Sequence, residues 1–383
     1  MLSKVKVKFL EIISCALNEK TPDISGFSEW GELMRLISAH NCWNFAFYAF
    51  EKTTVPEKVN EAVYAHFLSA VGQQMKQEHY QELIFDKFEA EKIDYLPMKG
   101  SIFRELYPHK EMRVSCDVDM LFEENSIERV RKVLSETGFE MKSDAKGGNH
   151  DLWQLDEITI EPHIAIMRGT NYCQYFSDIW QKTYAVAEGG CRRRLSDEDT
   201  YLTHIAHMGK HFIAGGCGVK AVSDVYLYRK KFPNLDDEYL DGELKKLGLY
   251  KFSKKMEKLS RCWFNDEVFD DDTEALTDYI LDGGVYGTAK QSSVLKVGVN
   301  SENVKQAKRK YFMRRAFPPV KELKIGYPVL EKAPVLLPFI WVIRWFTALF
   351  TRFGNVKSNF RTFKGMTAED VAKAKKIAKI VED

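Results

Sequence analysis

The sequence predicts an α+β fold in which a small mixed sheet with flanking helices is inserted between N-terminal and C-terminal helical regions. Apolar residues recur at helical spacing over residues 1–90 and again from about residue 197 onward. Between these regions, over residues 93–166, short runs typical of β-strands alternate with helical segments. The change from one period to the other and back predicts where the sheet lies in the chain.

These changes of pattern divide the chain into four parts. Residues 1–90 form an N-terminal helical region, and residues 91–190 form the sheet-containing domain, which is expected to be catalytic. Residues 191–330 form a helical domain that closes a cleft, and residues 331–383 form an apolar helix with a polar helical tail. Thr367 and Asp370 are placed to cap the tail helix.

Strand and helix alternate twice in the first half of the sheet-containing domain. IDYLPM is a strand that leads into the Gly100–Ser101 turn, and IFRELY is a short helix that stops before Pro108. VDMLF is a second strand, and SIERVRKVLSETGF is an amphipathic helix that ends at Gly138. We therefore expect functional residues in the turn and in the second strand.

Two extended runs, LWQL and ITIEPHIAI, follow and are separated by Asp156 and Glu157. This spacing predicts an antiparallel hairpin. Pro162 lies in the second run and has no N–H to donate, so that run is expected to be an edge strand or to pair on one side only at this point.

The D-V-D run places two carboxylates on one face of a strand. Side chains two residues apart on a strand project together, so Asp117 and Asp119 lie side by side while Val118 points into the core. Two carboxylates this close repel each other unless a cation neutralises them. Hard oxygen ligands of this kind suit Mg²⁺ or Mn²⁺, so a divalent cation is the expected cofactor.

A third carboxylate lies on the later extended run. Alternation places Glu161 and His163 on one face of that run, and Glu161 is expected to approach Asp117 and Asp119 from a neighbouring strand. Three acidic groups in one place suit a two-metal site for phosphoryl transfer, in which Glu161 or a carboxylate beside it takes the proton.

The Gly100–Ser101 turn is suited to binding phosphate. Glycine lets the backbone approach a phosphate closely, and the first amides of the following helix point outward at it. Lys99, Arg104 and Arg113 lie near this turn and the aspartates in the sequence, and any of them could offset phosphate charge. A ligand that carries phosphate groups is therefore expected at this turn.

The order KGS, then DVD, then a strand carrying an acidic residue resembles the nucleotidyltransferase superfamily that includes DNA polymerase beta. The resemblance implies a nucleotidyltransferase-type sheet. It assigns the roles of the superfamily's Gly-Ser turn and acidic site residues to Gly100, Ser101, Asp117, Asp119 and Glu161. The wider run LPMKGSIFRELYPHKEMRVSCDVDMLF, with EPH and HxxHxxxH downstream, is similar to a bacterial branch labelled uncharacterised nucleotidyltransferases. Several members of that branch are associated with cell-envelope polysaccharide biosynthesis. They usually have an apolar residue between the acidic residue and the histidine, where this chain has proline.

The histidines of YLTHIAHMGKHFI are open to two interpretations. His204, His207 and His211 fall on one helix face and could bind metal or line the cleft, with Lys210 or His211 contacting the nucleotide. Packing and hydrogen bonding within the protein explain the same spacing. Asp224 in the next helix could pair with one of these groups or have a structural role.

The helix at 339–353 combines tryptophans and phenylalanines with basic residues in or after it. The basic residues are Arg344, Arg352, Lys357, Arg361 and Lys364. This combination suits peripheral contact with a membrane surface through residues 339–364, and burial against the protein explains the apolar face equally well. Pro338 interrupts the apolar run, so a spanning helix is not expected.

The composition limits the class of protein, its partners and its location. Hydrophobic residues make up 45% of the 383 residues and charged residues 29%, as in folded globular proteins. The net charge of +1 provides no overall field for nucleic acid, so no nucleic acid partner is expected. Seven scattered cysteines and a charged N-terminus without an apolar core predict a cytoplasmic protein, with the inner face of the membrane as an open alternative.

The expected function is transfer of a nucleoside monophosphate from a nucleoside triphosphate to an acceptor, with release of pyrophosphate. The acceptor is a small molecule, a glycan or a protein, and the sequence does not choose among them. A glycosyltransferase that uses D-x-D to bind a sugar nucleotide is one alternative. A non-catalytic nucleotide-binding module of the same fold is the other.

Overall fold

The computed structural model describes residues 2–144, 150–167, 172–285, 287–299, 301–324, 327–351 and 363–382. The N-terminal region is helical, as predicted. Its helices are α1 (Lys4–Leu17), α2 (Trp30–Ala39), α3 (Trp43–Phe50) and the 34-residue α4 (Glu57–Ala90). The end of α4 leads directly into the sheet.

A five-stranded mixed sheet forms the centre of the next part of the chain, which confirms the predicted α+β class. Its strands are β1 (Leu96–Pro97), β2 (Asp117–Leu121), β3 (Glu140–Ser143), β4 (Leu152–Leu155) and β5 (Ile158–His163). Their order across the sheet is β1-β2-β5-β4-β3. Strands β2 and β5 are parallel, and the other neighbouring pairs are antiparallel.

Two helices connect the early strands. A short helix, α5 (Gly100–Phe103), begins at the predicted Gly-Ser turn, and α6 (Ile127–Glu136) follows β2. Gly138 just beyond α6 has a φ of +91°, which is the left-handed backbone that favours glycine at a helix end. The predicted alternation of strand and helix is therefore present.

The predicted hairpin is present, but its second strand does not lie at an edge. Strands β4 and β5 pair antiparallel from Trp153 with Ile160 to Leu155 with Ile158, and β2 flanks β5 on its other side. The edge interpretation of Pro162 was therefore wrong. Pro162 is tolerated in a central strand because its carbonyl still accepts a hydrogen bond from the Asp151 amide at 3.1 Å. The strand therefore lacks only the one hydrogen bond that a backbone N–H at this position would donate.

Helices return after a small hairpin of β6 (Tyr184–Ala185) and β7 (Arg193–Arg194). They are α7 (Asp197–Ala214), α8 (Val219–Lys231), α9 (Asp237–Leu247), α10 (Tyr250–Phe264), α11 (Asp271–Gly283), α12 (Ala289–Gly298), α13 (Val304–Ala316), α14 (Val320–Leu323), α15 (Val329–Lys332), α16 (Leu337–Thr351) and α17 (Ala368–Val381). Thr367 and Asp370 form the predicted capping box of α17. Within the described ranges, each helix is too short or too polar to cross a lipid bilayer.

The two faces of the sheet pack into different cores. On one face, Val118, Met120 and Ile160 contact apolar side chains of α4 and α6. On the other face, Leu96 and Leu121 join a large core to which both the N-terminal helices and α7, α8, α10, α11 and α17 contribute. The helical regions before and after the sheet thus share one core, and the domain boundaries at 90, 190 and 330 stay a prediction.

Candidate active site

The adjacency of β2 and β5 brings the predicted carboxylates together. In the parallel register Asp119 lies beside Glu161, and Asp117 lies two residues earlier on the same face of β2. Oxygen atoms of Asp117, Asp119 and Glu161 all lie within 4.8 Å of one another. The alternation that placed Val118 in the core and Glu161 with His163 on one face is observed.

Asp119 is the most tightly held of the three carboxylates. Its side chain is 2% exposed, and its Oδ1 accepts hydrogen bonds from Lys99 Nζ and from His163 Nε2, each at 2.7 Å. Burial by itself would raise the pKa of Asp119, but the hydrogen bond from His163 and the charge of Lys99 hold that pKa below its usual range. Asp119 is therefore a fixed, ionised group.

The pKa of Asp117 is shifted in the opposite direction to that of Asp119. Burial, followed by the charges of Asp119 and Glu161, raises the pKa of Asp117 to about 6, against a smaller opposing effect of Lys99. A divalent cation beside these oxygens would relieve that repulsion. Three hard oxygen donors from two strands, of which one is destabilised by its neighbours, fit Mg²⁺ or Mn²⁺ well.

His150 joins the site and was not predicted. His150, Glu161 and His163 offer ligand atoms within 4.8 Å of one another, and the two imidazole rings lie 4.6 Å apart. The register of the β4–β5 hairpin is the feature from which the position of His150 could have been predicted. Because Asp156 lies in the turn and Trp153 pairs with Ile160, counting outward puts His150 opposite His163, where a bridge is observed.

The imidazole of His163 is nearly fully buried between two carboxylates. Burial disfavours its charged form, but hydrogen bonds to Asp119 and Glu161 raise the pKa of His163 above its ordinary value. In His150, burial and the charge of His163 lower the pKa. His163 therefore holds Asp119 and Glu161 in place, which is a positioning role.

The turn between β1 and α5 has strained backbone at the residue before the glycine. Lys99 has a φ of +45° and a ψ of −113°, a conformation that non-glycine residues rarely adopt. The Met98 amide donates to the Asp119 carbonyl at 3.0 Å, which fixes the turn against β2. This conformation directs the Lys99 ammonium onto Asp119.

Gly100 is required because the chain approaches itself closely here. A Cβ added to Gly100 would lie 2.9 Å from Ser115 Oγ and 3.1 Å from Ser115 Cβ. The Ser115 hydroxyl in turn donates to the Asp117 carbonyl at 2.8 Å. Gly100 thus lets the Gly-Ser turn lie directly against the segment that carries Asp117.

Replacing Gly100 by alanine is expected to displace Ser115 and the start of β2. We expect Gly100→Ala to lower turnover about a hundredfold, since misplacement by about 1 Å costs that much in an oriented site. Release of pyrophosphate, the product expected from the sequence, would measure the effect. Gly72→Ala is the matched control, because a Cβ on Gly72 of α4 meets nothing within 4 Å. Equal activity of the two variants would contradict the proposed contact.

The two predicted arginines are engaged by protein partners. Arg104 is 4% exposed and donates to Gln77 Oε1 at 2.9 Å on α4. Arg113 forms a bidentate pair with Asp224 of α8, at 2.9 Å from both Nε and Nη2. Tyr107 donates to the same carboxylate at 2.7 Å. Asp224 therefore pairs with Arg113, and nucleotide contact by Arg104 or Arg113 stays a prediction.

Helix α7 carries side chains that interact electrostatically with the carboxylates. Burial and then the charge of Lys99 lower the pKa of Lys210, and the charges of Asp119 and Glu161 oppose this effect. Burial likewise lowers the pKa of His207, and that of His211 to about 4, so both imidazoles are neutral. Their rings lie 4.3 Å apart. Lys210 is the lysine of α7 whose charge interacts with Asp119 and Glu161.

The side chain of His204 packs against neighbouring helices α5 and α8. Its ring lies 4.4 Å from that of Phe103, and its Nε2 lies 3.4 Å from the Ala221 carbonyl. Burial lowers the pKa of His204, so the ring is neutral. Both metal-ligand groups found in the described part of the chain lie on β2, β5 and the adjoining bridge, and neither includes a histidine of α7.

A cavity of about 530 Å³ opens beside the carboxylates. Lys99, Ser101, His163 and His207 line its end nearest the site. The rest of its wall is mostly apolar and comes from β1, α5, α7, α8 and the strand β7, including Leu96, Ile102, Phe103, Leu106, Leu195 and Phe232. Its volume is in the range of small-molecule sites.

Comparison with known proteins identifies the family of the chain. Neither a comparison with curated proteins nor one with solved structures gives a match. A family model described as uncharacterised nucleotidyltransferase matches residues 27–265, which include α4, the whole five-stranded sheet, and α7 and α8. The matched region therefore contains every carboxylate of the site, and the chain belongs to this uncharacterised nucleotidyltransferase family.

Proposed function

We propose that the protein transfers a nucleoside monophosphate from a nucleoside triphosphate to an acceptor hydroxyl or phosphate, with release of pyrophosphate. One observation carries the proposal: three carboxylates from two adjacent parallel strands offer oxygens within 4.8 Å of one another, beside the Gly-Ser turn. Membership of a nucleotidyltransferase family supports the same reaction class.

Asp117, Asp119 and Glu161 are the residues that would hold Mg²⁺ or Mn²⁺. When bound, the cation lowers the pKa of the attacking hydroxyl and neutralises charge on the phosphates. Lys99 and His163 keep Asp119 ionised and fixed in direction, since both donate to its Oδ1. Glu161 faces the same space and is the proposed acceptor of the proton from the attacking hydroxyl.

The triphosphate is proposed to lie between the Gly-Ser turn and α7. Lys99 contacts Asp119 from the Gly-Ser turn, and the charges of Asp119 and Glu161 act on the pKa of Lys210 in α7. Both ammonium groups would lower the electrostatic cost of bringing phosphate near the carboxylates. Ser101 lines the adjoining cavity and can donate a hydrogen bond to a phosphate oxygen. His207 and His211, neutral and close to Lys210, would contribute hydrogen bonds without adding charge.

The apolar cavity beside His163 is proposed to bind the acceptor. Its wall is formed by strands β1 and β7 together with α5, α7 and α8. A wall of this chemistry favours an acceptor with an apolar part. The resemblance to a branch associated with cell-envelope polysaccharide makes glycan precursors the first acceptors to test.

Filling the cavity is expected to separate acceptor binding from nucleotide binding. Thr203 lines the cavity from α7, and Thr203→Trp would occupy part of its volume. We expect this variant to raise the acceptor KM at least about tenfold, while the affinity for the triphosphate measured by calorimetry stays unchanged. Thr203→Ser is the control. Loss of triphosphate affinity in Thr203→Trp would show that the cavity holds the nucleotide instead.

The reaction class is tested by screening each labelled nucleoside triphosphate with Mg²⁺ against cell extract. We expect a labelled product with the intact protein and none with the Asp117→Asn, Asp119→Asn double variant. Calorimetry is run beside the screen. Tighter binding of a sugar nucleotide than of any triphosphate would favour a glycosyltransferase, and binding without a product would favour a nucleotide-binding module.

A further inference from the structure

Helix α16 exposes one apolar face. Phe339, Val342, Ile343 and Phe346 follow the spacing of a single helix face, and they are 67%, 44%, 51% and 60% exposed. The opposite side of the helix is covered, because Ile340 packs with the side chains of α14 and α15 in a small core of its own. The exposed face is therefore separate from the packing of α16 on the protein.

Exposed apolar side chains are concentrated in this part of the molecule. Of the nineteen large apolar residues that are exposed in the described ranges, nine lie between positions 312 and 346. They are Phe312, Met313, Val329, Val335, Phe339, Val342, Ile343, Trp345 and Phe346. Exposed apolar side chains concentrated in one segment of this kind favour a contact with another molecule or with a membrane.

Charge is segregated in the same segment. Residues 304–364 contain fourteen lysines and arginines and two glutamates, a net charge of +12. The whole chain carries +1, so the remaining residues carry −11. Arg352, Lys357 and Arg361 of this segment lie outside the described residues, and ten of the basic residues lie within 304–351. The partner of this surface must therefore be both anionic and able to accept apolar side chains.

We propose that α13 to α16 dock the protein on the surface of an anionic lipid bilayer. The apolar face of α16 would enter the boundary between headgroups and acyl chains, and the surrounding lysines and arginines would contact anionic headgroups. With 15 residues, α16 is about 22 Å long, so it lies in the plane of the membrane. Nucleic acid would match the charge but leave Phe339, Ile343 and Phe346 in water.

Vesicle co-sedimentation of the full chain tests this proposal. Vesicles of equimolar phosphatidylcholine and phosphatidylglycerol should bind the protein, and phosphatidylcholine vesicles should bind it far more weakly. The Phe339→Ser, Ile343→Ser, Phe346→Ser variant should bind at least about a hundredfold more weakly, since each side chain loses its apolar burial. Raising the salt to about 1 M should also weaken binding, because the Debye length falls to about 3 Å.

A matched variant controls for loss of exposed apolar surface in general. Leu68, Met75 and Val268 are 50%, 66% and 81% exposed and lie far from α16 in the sequence, so their serine variants should bind vesicles normally. Equal binding by both triple variants would overturn the proposal. Preference for single-stranded RNA over vesicles would overturn it, as would a dimer in solution that the α16 variant converts to a monomer without vesicle binding.

Discussion

Replacing Asp119 by asparagine is expected to reduce pyrophosphate release at least about a thousandfold, the largest effect of any single change in the protein. Asn keeps the size of the side chain and removes its charge. Lys99 and His163, which both donate to Asp119 Oδ1, would then face an amide instead of a carboxylate. The proposed cation would lose a ligand, and the remaining groups would lose the charge that orders them.

Single-turnover assays with a labelled triphosphate measure this loss, and circular dichroism checks the fold. Glu123→Gln is the control, because Glu123 follows β2 closely but is exposed to solvent. Turnover by Asp119→Asn at the rate of the Glu123→Gln control would show that the carboxylate does not take part in the reaction.

Removing Asp224 is expected to destabilise the fold by about 3–5 kcal/mol, the usual cost of leaving one member of a buried ion pair alone. Asp224 is 1% exposed, and its carboxylate accepts hydrogen bonds from Nε and Nη2 of Arg113 and from the Tyr107 hydroxyl. These bonds join α8 to the segment just before β2. Asp224→Ala would leave the Arg113 charge buried with no matching anion.

Urea denaturation of Asp224→Ala measures the change in the free energy of unfolding. The double variant Arg113→Met, Asp224→Leu removes both charges and should recover most of the lost stability, because apolar side chains of similar size can replace a buried ion pair. A double variant as unstable as Asp224→Ala would show that the unpaired charge is not the cause.

Much of the fold follows from local pattern in the sequence. Alternation along VDMLF and ITIEPH was enough to place Asp117 with Asp119, and Glu161 with His163, because side chains on a strand point to opposite faces in turn. Helical spacing and capping residues predicted the helices on both sides of the sheet and the start of α17. These features depend on residues close together in the chain.

Features that depend on contacts between distant segments of the chain were harder to predict from the sequence. The central position of β5 and its parallel pairing with β2 join residues about forty apart, and no local pattern around Pro162 reports it. The Arg113–Asp224 pair spans 111 residues. Proximity in sequence named Arg113 as one of three residues that could offset phosphate charge, and it gave no indication that Asp224 of α8 is a partner of Arg113. The cavity likewise exists only once α7 and α8 cover the sheet.

The anomalous scattering of Mn²⁺ in crystals grown with a non-hydrolysable triphosphate tests whether the three carboxylates bind a cation. We expect a peak at coordination distance, roughly 2.1 Å, from oxygens of Asp117, Asp119 and Glu161, with the triphosphate beside Lys99. A bound triphosphate with the Mn²⁺ peak away from all three carboxylates would contradict it.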